Sequence, residues 1–192
     1  MSENKKFRGV SKAEWLEIAM ETLSQKGVDG LSVEGLAREL GISKAGFYWH
    51  FRDRQDLLAQ LLEYWVHELT EVVTSNRQLL ELEPRQRLIT TAEMIMKYDL
   101  ARYDSAFRQW AKRDPVARRA VKKVNQNRLE FIKKTLSECG YTGDELEMRA
   151  MLFVCYHTWE AFMFPEIPAN RRRKLIGRRI DLLLSEQPGD GI

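Results

Sequence analysis

Lys44, Tyr48, Trp49, His50 and Arg54 crowd into one short stretch of the chain. Lys44 carries an ammonium and Tyr48 a phenol, and both donate hydrogen bonds. Such a pair can grip anionic oxygen; by itself it makes and breaks no bonds. Ser32 and Ser43 add hydroxyls nearby, and Ala45 and Gly46 offer little bulk, so a partner's surface can come close. Bond-making chemistry finds little support elsewhere. The sequence contains no glycine-rich phosphate loop, HExxH, CxxC or GxSxG. The histidines stand at 50, 67 and 157, and neither His67-Glu68 nor His157 gives the facing ExxH pair of a di-metal bundle. An enzyme is not expected, nor a metal or cofactor.

Three elements must hold that face outward. Leu16, Ala19, Met20 and Leu23 follow the i, i+3, i+4, i+7 spacing of a helix, with Ser11 as start cap and Gly27 as stop. Val33, Leu36, Ala37 and Leu40 repeat it behind Ser32, an N-cap. Ala37 is small enough to let two helices cross closely, and Gly41 stands where a tight turn needs positive φ. Ile42 fills the gap, and Ser43 is expected to cap a short third helix from Lys44 to His50. This is the layout of a helix-turn-helix, whose second helix protrudes to enter a major groove. Alone, Phe47, Tyr48 and Phe51 would be core aromatics and Lys44 a solvated lysine; their joint spacing points to DNA. Phosphate contacts would then supply affinity and register, and groove-facing side chains the choice of sequence. Ala45 could pack on a thymine methyl. With so few polar readers, part of the choice would be indirect, through DNA shape. Lys5, Lys6 and Arg8 form a basic arm suited to phosphate or the minor groove.

From Ser32 to Leu57, with Phe47-Tyr48-Trp49-His50-Phe51 ahead of Arg52-Asp53-Arg54-Gln55-Asp56, the sequence resembles the DNA-binding region of the tetracycline-repressor (TetR) family. Beyond that region the likeness rests on length, helical pattern and helix order. The resemblance implies that Tyr48 contacts a phosphate and that Lys44 meets a phosphate or a base edge. Ser32 stands where the family usually has Thr, capping the second helix and touching phosphate. Arg54 stands where it usually has Lys, beside the DNA backbone. His50 and Phe51 would pack the recognition helix against the fourth helix, while Ala45, Gly46 and Trp49 would face the groove. It also implies a two-fold dimer on a pseudo-palindromic operator and release by a small effector. Repression is the usual outcome in that family, and activation stays open.

Strand signals are nearly absent and helical periodicity runs throughout, so the expected fold class is all-α, with about nine helices. A three-helix helix-turn-helix domain over residues 1–56 would precede a larger ligand-binding and dimerisation domain over 57–192. The apolar face from Leu57 to Leu80 reads as one long helix. Pro84, Pro115 and Asp144 mark later starts and Cys139-Gly140 a stop. Residues 145–164 are apolar nearly all round, and such a helix must be covered on more than one side. With residues 168–185 they are expected to form an intermolecular four-helix bundle; a buried central helix in a monomer is the alternative. Met94, Tyr98, Phe107, Trp110, Phe131, Tyr156 and Trp159 read first as core. Under the resemblance they read as walls of a pocket for an apolar or aromatic effector. Arg128 interrupts the stripe Ala117, Val121, Val124, Phe131 and Thr135, and an inward arginine needs a partner. Asp99, Glu160 or an anionic group of the effector could each supply one. His157 is a weaker pocket candidate.

The chain carries 31 Lys+Arg against 28 Asp+Glu, for a net charge of +3, yet its basic residues gather over 101–134. Such a block is usually a solvated helix face. The longest fully apolar run, Ala150 to Tyr156, is far short of a bilayer span. Met1-Ser-Glu-Asn-Lys-Lys has no apolar stretch behind its charges, so no secretory signal is read there. Cys139 and Cys155 read as reduced core thiols, and the cytoplasm is the expected compartment. The expected function is a homodimeric, effector-released repressor of transcription. Its rival is a ligand-independent or partner-dependent DNA-binding regulator with a filled C-terminal core.

Overall fold

A computed structural model describes residues 9–185, and the regular structure among these residues is helical, without a strand. The basic arm at Lys5, Lys6 and Arg8 and the tail from Gln187 lie outside the described residues. The chain divides into two compact units: one runs up to Trp65 and adds Ser105–Ala120, the other holds Val66–Asp104 and the chain from Val121 onward. The sequence reading drew its boundary at 56/57. Leu57, Leu61 and Trp65 are buried and belong to the first unit, which therefore takes in all but the last residue of the fourth helix.

In the first unit, α1 (Lys12–Lys26) opens with a capping box, Ser11 and Glu14 each accepting from the other's backbone N–H, and closes at Gly27 with φ 69°. After a 3₁₀ turn at Val28–Gly30 comes α2 (Val33–Glu39), its Gly35 N–H donating to the Ser32 hydroxyl at 3.1 Å. Gly41 takes φ 69°, the Gly41 N–H bonds Arg38 O at 3.2 Å, and the Ile42 N–H bonds Ala37 O at 3.0 Å. That pair of bonds is a Schellman motif, so the turn is fixed by the helix end itself. Next is α3 (Ala45–Tyr48), then α4 (Arg54–Val66), which runs on through a π turn at His67–Glu71 and a last helical stretch at Val72–Thr74. The N-cap of α3 is Lys44, without a side-chain cap bond, rather than Ser43.

Helix α7 (Asp104–Ala111) gives the first unit Phe107, stacked on Trp65 with ring centroids 4.3 Å apart, and Trp110, 6.1 Å from Phe107. Both are buried core residues.

The second unit holds α5 (Arg77–Leu80), α6 (Pro84–Lys97), α8 (Pro115–Glu138) from Val121 on, α9 (Gly143–Met163), α10 (Ala169–Lys174) and α11 (Ile176–Leu183). The expected single helix through Leu80 is broken at Ser75. Asn76 caps a separate turn, accepting from the Leu79 N–H at 3.2 Å. Arg87 lies buried beneath that turn and donates to the carbonyls of Leu79, Leu80 and Leu82, with Glu138 balancing its charge at 2.9 Å. A helix C-terminus leaves its last carbonyls without helical partners, and one guanidinium reaches two of them, at Leu79 and Leu80, and a third carbonyl just beyond, at Leu82. The core around it includes Leu88, Ala92, Phe131, Ile132, Leu136, Ala150, Phe153, Ile176 and Ile180. Asp114 accepts from the N–H groups of Val116 and Ala117, capping α8, and these bonds hold its carboxyl below the usual range. The N-cap of α9 is Thr142, with Asp144 in the first turn.

Candidate functional site

Three aromatic rings set the outward face of α3. Phe47 is buried edge-on against Trp15, with centroids 5.4 Å apart, and Phe51 packs beside it at 5.0 Å. Neighbouring positions on so short a helix point to different sides, so an inward Phe47 turns Tyr48 and Trp49 out. Tyr48 is 61% exposed and Trp49 86%. Ala45 and Lys44 are exposed beside them. Lys44 holds an exposed ion pair with Glu34 at 2.9 Å, and that hydrogen bond raises the lysine's pKa while lowering the carboxylate's. Such a pair is weak in water and can be exchanged for a phosphate.

Of the remaining residues read from the sequence, Ser43 is exposed, while Gly46, Ser32, His50 and Arg54 make contacts inside the unit. A Cβ on Gly46 would stand 3.3 Å from Ile42 Cδ1, so its missing side chain faces the turn. Ser32 is committed to capping α2. The His50 ring bonds the Val10 carbonyl through Nε2 at 2.9 Å, tying the start of the described chain to the end of α3. Arg54 donates to the carbonyls of Val28 and Leu31 and so braces the 3₁₀ turn. An outward patch of Lys44, Ala45, Tyr48 and Trp49 remains.

In the second unit a cavity of about 40 Å³ is walled by α4's π turn and final stretch (Leu69, Thr70, Val73, Thr74), by Thr91, Ile95 and Leu100, by Arg128, Phe131 and Ile132 of α8, and by Phe153, His157 and Thr158 of α9. A π turn inserts an extra residue per turn, and here it carries Thr70 into the interior, where the hydroxyl accepts from Arg128 at 3.3 Å. Of the residues read as pocket walls, Arg128 and Phe131 line this cavity. Met94 packs on the core without lining it. Phe107 and Trp110 lie in the other unit's core. Tyr98 is exposed because α6 ends before it: Asp99 takes a left-handed φ of 50°, and the Leu100 N–H returns to Ile95 O at 3.0 Å. Asp99 is thereby turned outward and does not meet Arg128. The partner is Asp104, which lies 2.5 Å from Nη1 through Oδ2 and 3.0 Å from Nη2 through Oδ1.

Tyr156 and Trp159 belong to a different feature, a groove of about 830 Å³ along α9 and α11. Met148, Leu152, Met163, Phe164 and Leu182 line it and are exposed. Glu160, the other expected partner of Arg128, is bound there by Arg179 Nη1 at 2.8 Å, and the Tyr156 hydroxyl donates to it at 2.7 Å. No group of three or more potential metal ligands occurs among the described residues. No helix among them is long and apolar enough to cross a membrane.

A Schellman turn between two crossing helices, with the second helix anchored by Phe47 and its Tyr-Trp face in solvent, defines a helix-turn-helix protein. Residues 16–61 match the model for bacterial regulatory proteins of the tetR family, so this N-terminal region is similar to that family's DNA-binding region. The HTH-type transcriptional regulator AcrR of Shigella flexneri is 38% identical over 68 residues, which are 35% of this chain and 28% of that protein. The curated similarity thus spans under a third of that relative's length. A transcriptional regulator from Rhodococcus sp. Rha1 shares the fold over 91% of this chain and 96% of its own, with a TM-score of 0.69 at 19% identity. The regulator FadR of Bacillus subtilis, solved in complex with stearoyl-CoA, does so over 91% and 98%, with a TM-score of 0.66 at 16% identity.

Proposed function

We propose that the chain is a sequence-specific DNA-binding regulator of transcription, acting in the cytoplasm as a homodimer that a small apolar molecule releases from its operator. The observation that carries this reading is the exposure of Tyr48 and Trp49 on a helix locked from behind by Phe47 and Phe51. In the bound state Tyr48 and Lys44 hold phosphates, Lys44 leaving Glu34 to do so. Trp49 and Ala45 meet the groove floor, the indole against sugar or methyl groups.

A second copy is the proposed cover for the groove along α9 and α11. An apolar surface of that extent is seldom left in water on a monomer. Two copies joined there would present two α3 helices to successive major grooves, roughly 34–36 Å apart on the duplex. The effector is proposed to enter the cavity behind Thr70 and Arg128. Because α4 supplies both the last buried turns of the first unit and the cavity's Leu69 and Thr70, ligand binding would act on the helix that leaves the DNA-binding unit. DNA affinity would fall by the ligand's preference for one of two states. The fold neighbour crystallised with stearoyl-CoA supports a small-molecule effector of apolar character.

The cavity's small size favours a second reading, a regulator with a filled core that needs no effector. A cavity of about 40 Å³ is well below the ~300–1,000 Å³ of ordinary ligand pockets.

The test of DNA binding is a fluorescence-anisotropy titration with genomic DNA fragments at rising salt. Affinity is expected to fall steeply, on the order of 10³-fold between 50 and 200 mM salt if some six phosphates are contacted. Tyr48→Phe should weaken all fragments alike, whereas Trp49→Ala should change which fragment is preferred. Salt-independent binding, or no loss in either variant, would remove α3 from the interface. A thermal-shift screen of apolar metabolites separates the two readings of the cavity.

A further inference from the structure

The cavity wall is apolar over Leu69, Val73, Ile95, Phe131, Ile132 and Phe153, and few polar atoms reach it. Its cation is already engaged. Arg128 holds both oxygens of Asp104, which is only 1% exposed. A ligand carboxylate at Arg128 would have to displace Asp104 and take the bidentate partner from a buried carboxylate, a heavy cost in a site with little water.

Two side-chain atoms of the wall have no protein partner: Thr91 Oγ1 and His157 Nε2. The protonation of His157 follows from its other nitrogen. Nδ1 lies 2.8 Å from the Phe153 carbonyl oxygen, and a carbonyl only accepts, so Nδ1 carries the ring hydrogen. In the neutral ring, Nε2 is then a bare lone pair. Burial pushes the imidazole's pKa down to about 4, so it is neutral at pH 7. Glu160 and Arg179, the charged groups that also act on it, are paired with each other. His157, which borders both this cavity and the groove along α9 and α11, therefore has an acceptor to offer and nothing else. A ligand ether or carbonyl gains nothing there, and a carboxylate is repelled by the lone pair.

We propose that this cavity selects an uncharged, mainly apolar molecule with a hydroxyl group, an alcohol or a phenol, whose O–H donates to His157 Nε2. The inference rests on the effector reading above and specifies its chemistry. Thr91 Oγ1 offers the same hydroxyl oxygen a donor. The cavity at its present size takes the hydroxyl end, and the apolar remainder parts the flexible aliphatic walls at Leu69 and Ile95.

The test is calorimetric titration of the full chain at pH 7.5 with matched probes: 1-octanol, octyl methyl ether and octanoate, and 4-propylphenol with 4-propylanisole. The hydroxyl member of at least one pair should bind about tenfold tighter than its methyl ether, the difference one satisfied buried acceptor makes. Octanoate should bind more weakly than octanol. His157→Phe should erase the preference, and His157→Gln, whose amide oxygen accepts, should restore part of it. In the unmodified chain the ¹⁵N resonance of His157 Nε2 should move on addition of the bound hydroxyl probe, a readout independent of any variant's folding. Equal binding of alcohol and ether, tighter octanoate, or an unmoved Nε2 resonance would overturn the hydroxyl assignment and leave the effector reading standing. No binding by any probe would overturn both.

Discussion

Arg128 closes on Asp104 with two nitrogens, at 2.5 and 3.0 Å, and the Thr70 hydroxyl adds a third contact at 3.3 Å. Asp104 ends the Val66–Asp104 segment of the second unit and is the first residue of α7. Removing one side of a buried pair takes the bidentate partner from the other charge, which costs up to about 3–5 kcal/mol. Arg128→Met alone should therefore lower unfolding stability in urea by roughly that amount, while Arg128→Met with Asp104→Leu should recover most of it. Additive losses in the double variant would show that the two residues do not act as a pair.

His157 gives stability a pH dependence of its own. Its folded pKa lies near 4 against 6.5 for a free imidazole, because burial disfavours the cation. As pH falls below about 6.5 the unfolded chain takes up a proton that the folded chain refuses, so stability drops until the folded pKa is reached. The loss should approach about 3 kcal/mol by pH 4. Urea unfolding from pH 7 to pH 4.5 should show this slope, and His157→Gln should flatten it. Glu71 and Glu138, whose pKa values are lowered chiefly by Lys123 and Arg87, add their losses only below the ordinary carboxylate range. An unchanged slope in the His157 variant would assign the dependence elsewhere.

Leu182, 76% exposed, and Leu152, 57%, stand on the groove shared by α11 and α9. Placing a carboxylate at each, Leu152→Glu with Leu182→Glu, should convert a dimer to a folded monomer in sedimentation equilibrium and cut DNA affinity at least tenfold. A dimer that survives both charges would place the contact between copies on another face.

Gly41 holds φ at 69° between α2 and α3. An added Cβ meets no neighbour, so the cost of Gly41→Ala is backbone strain alone, on the order of 1 kcal/mol. The first unit should melt slightly earlier, and DNA affinity should fall more than stability does, because α3 is aimed by this turn. Unaltered affinity would mean that the angle between the helices is set elsewhere.

Local chemistry was the part of this molecule most legible in its sequence. Ser11, Gly27, Ser32 and Gly41 act within a few residues of themselves, and each does what its type and spacing imply. The outward Tyr48 and Trp49 followed from the family resemblance; spacing alone makes Tyr48 a core aromatic. Ser43 does not cap α3, and Cys139 and Cys155, expected in the core, are exposed. The other failures depended on where helices stop and which core they join. Tyr98 and Asp99 fall on an inner stripe only if α6 continues past Lys97, and Asp99 itself ends that helix in a left-handed conformation. Phe107 and Trp110 are apolar on a regular stripe, yet periodicity cannot say that Trp65 rather than a ligand will cover them. Asp104, the true partner of Arg128, gives no signal from spacing, since the two meet only through tertiary packing. The threonines of the cavity did leave a trace. Thr91 sits within the stripe Leu88, Ala92 and Ile95, and a hydroxyl on an otherwise apolar face marks a polar lining.

The central claim is that α3 reads a duplex twice, from two copies related by symmetry. Selection of bound sequences from a random DNA pool by the purified protein tests it most directly. The account predicts enrichment of a two-fold symmetric site whose half-sites lie about one helical turn apart. A pool with no enriched sequence, or an enriched site without internal symmetry, would contradict it.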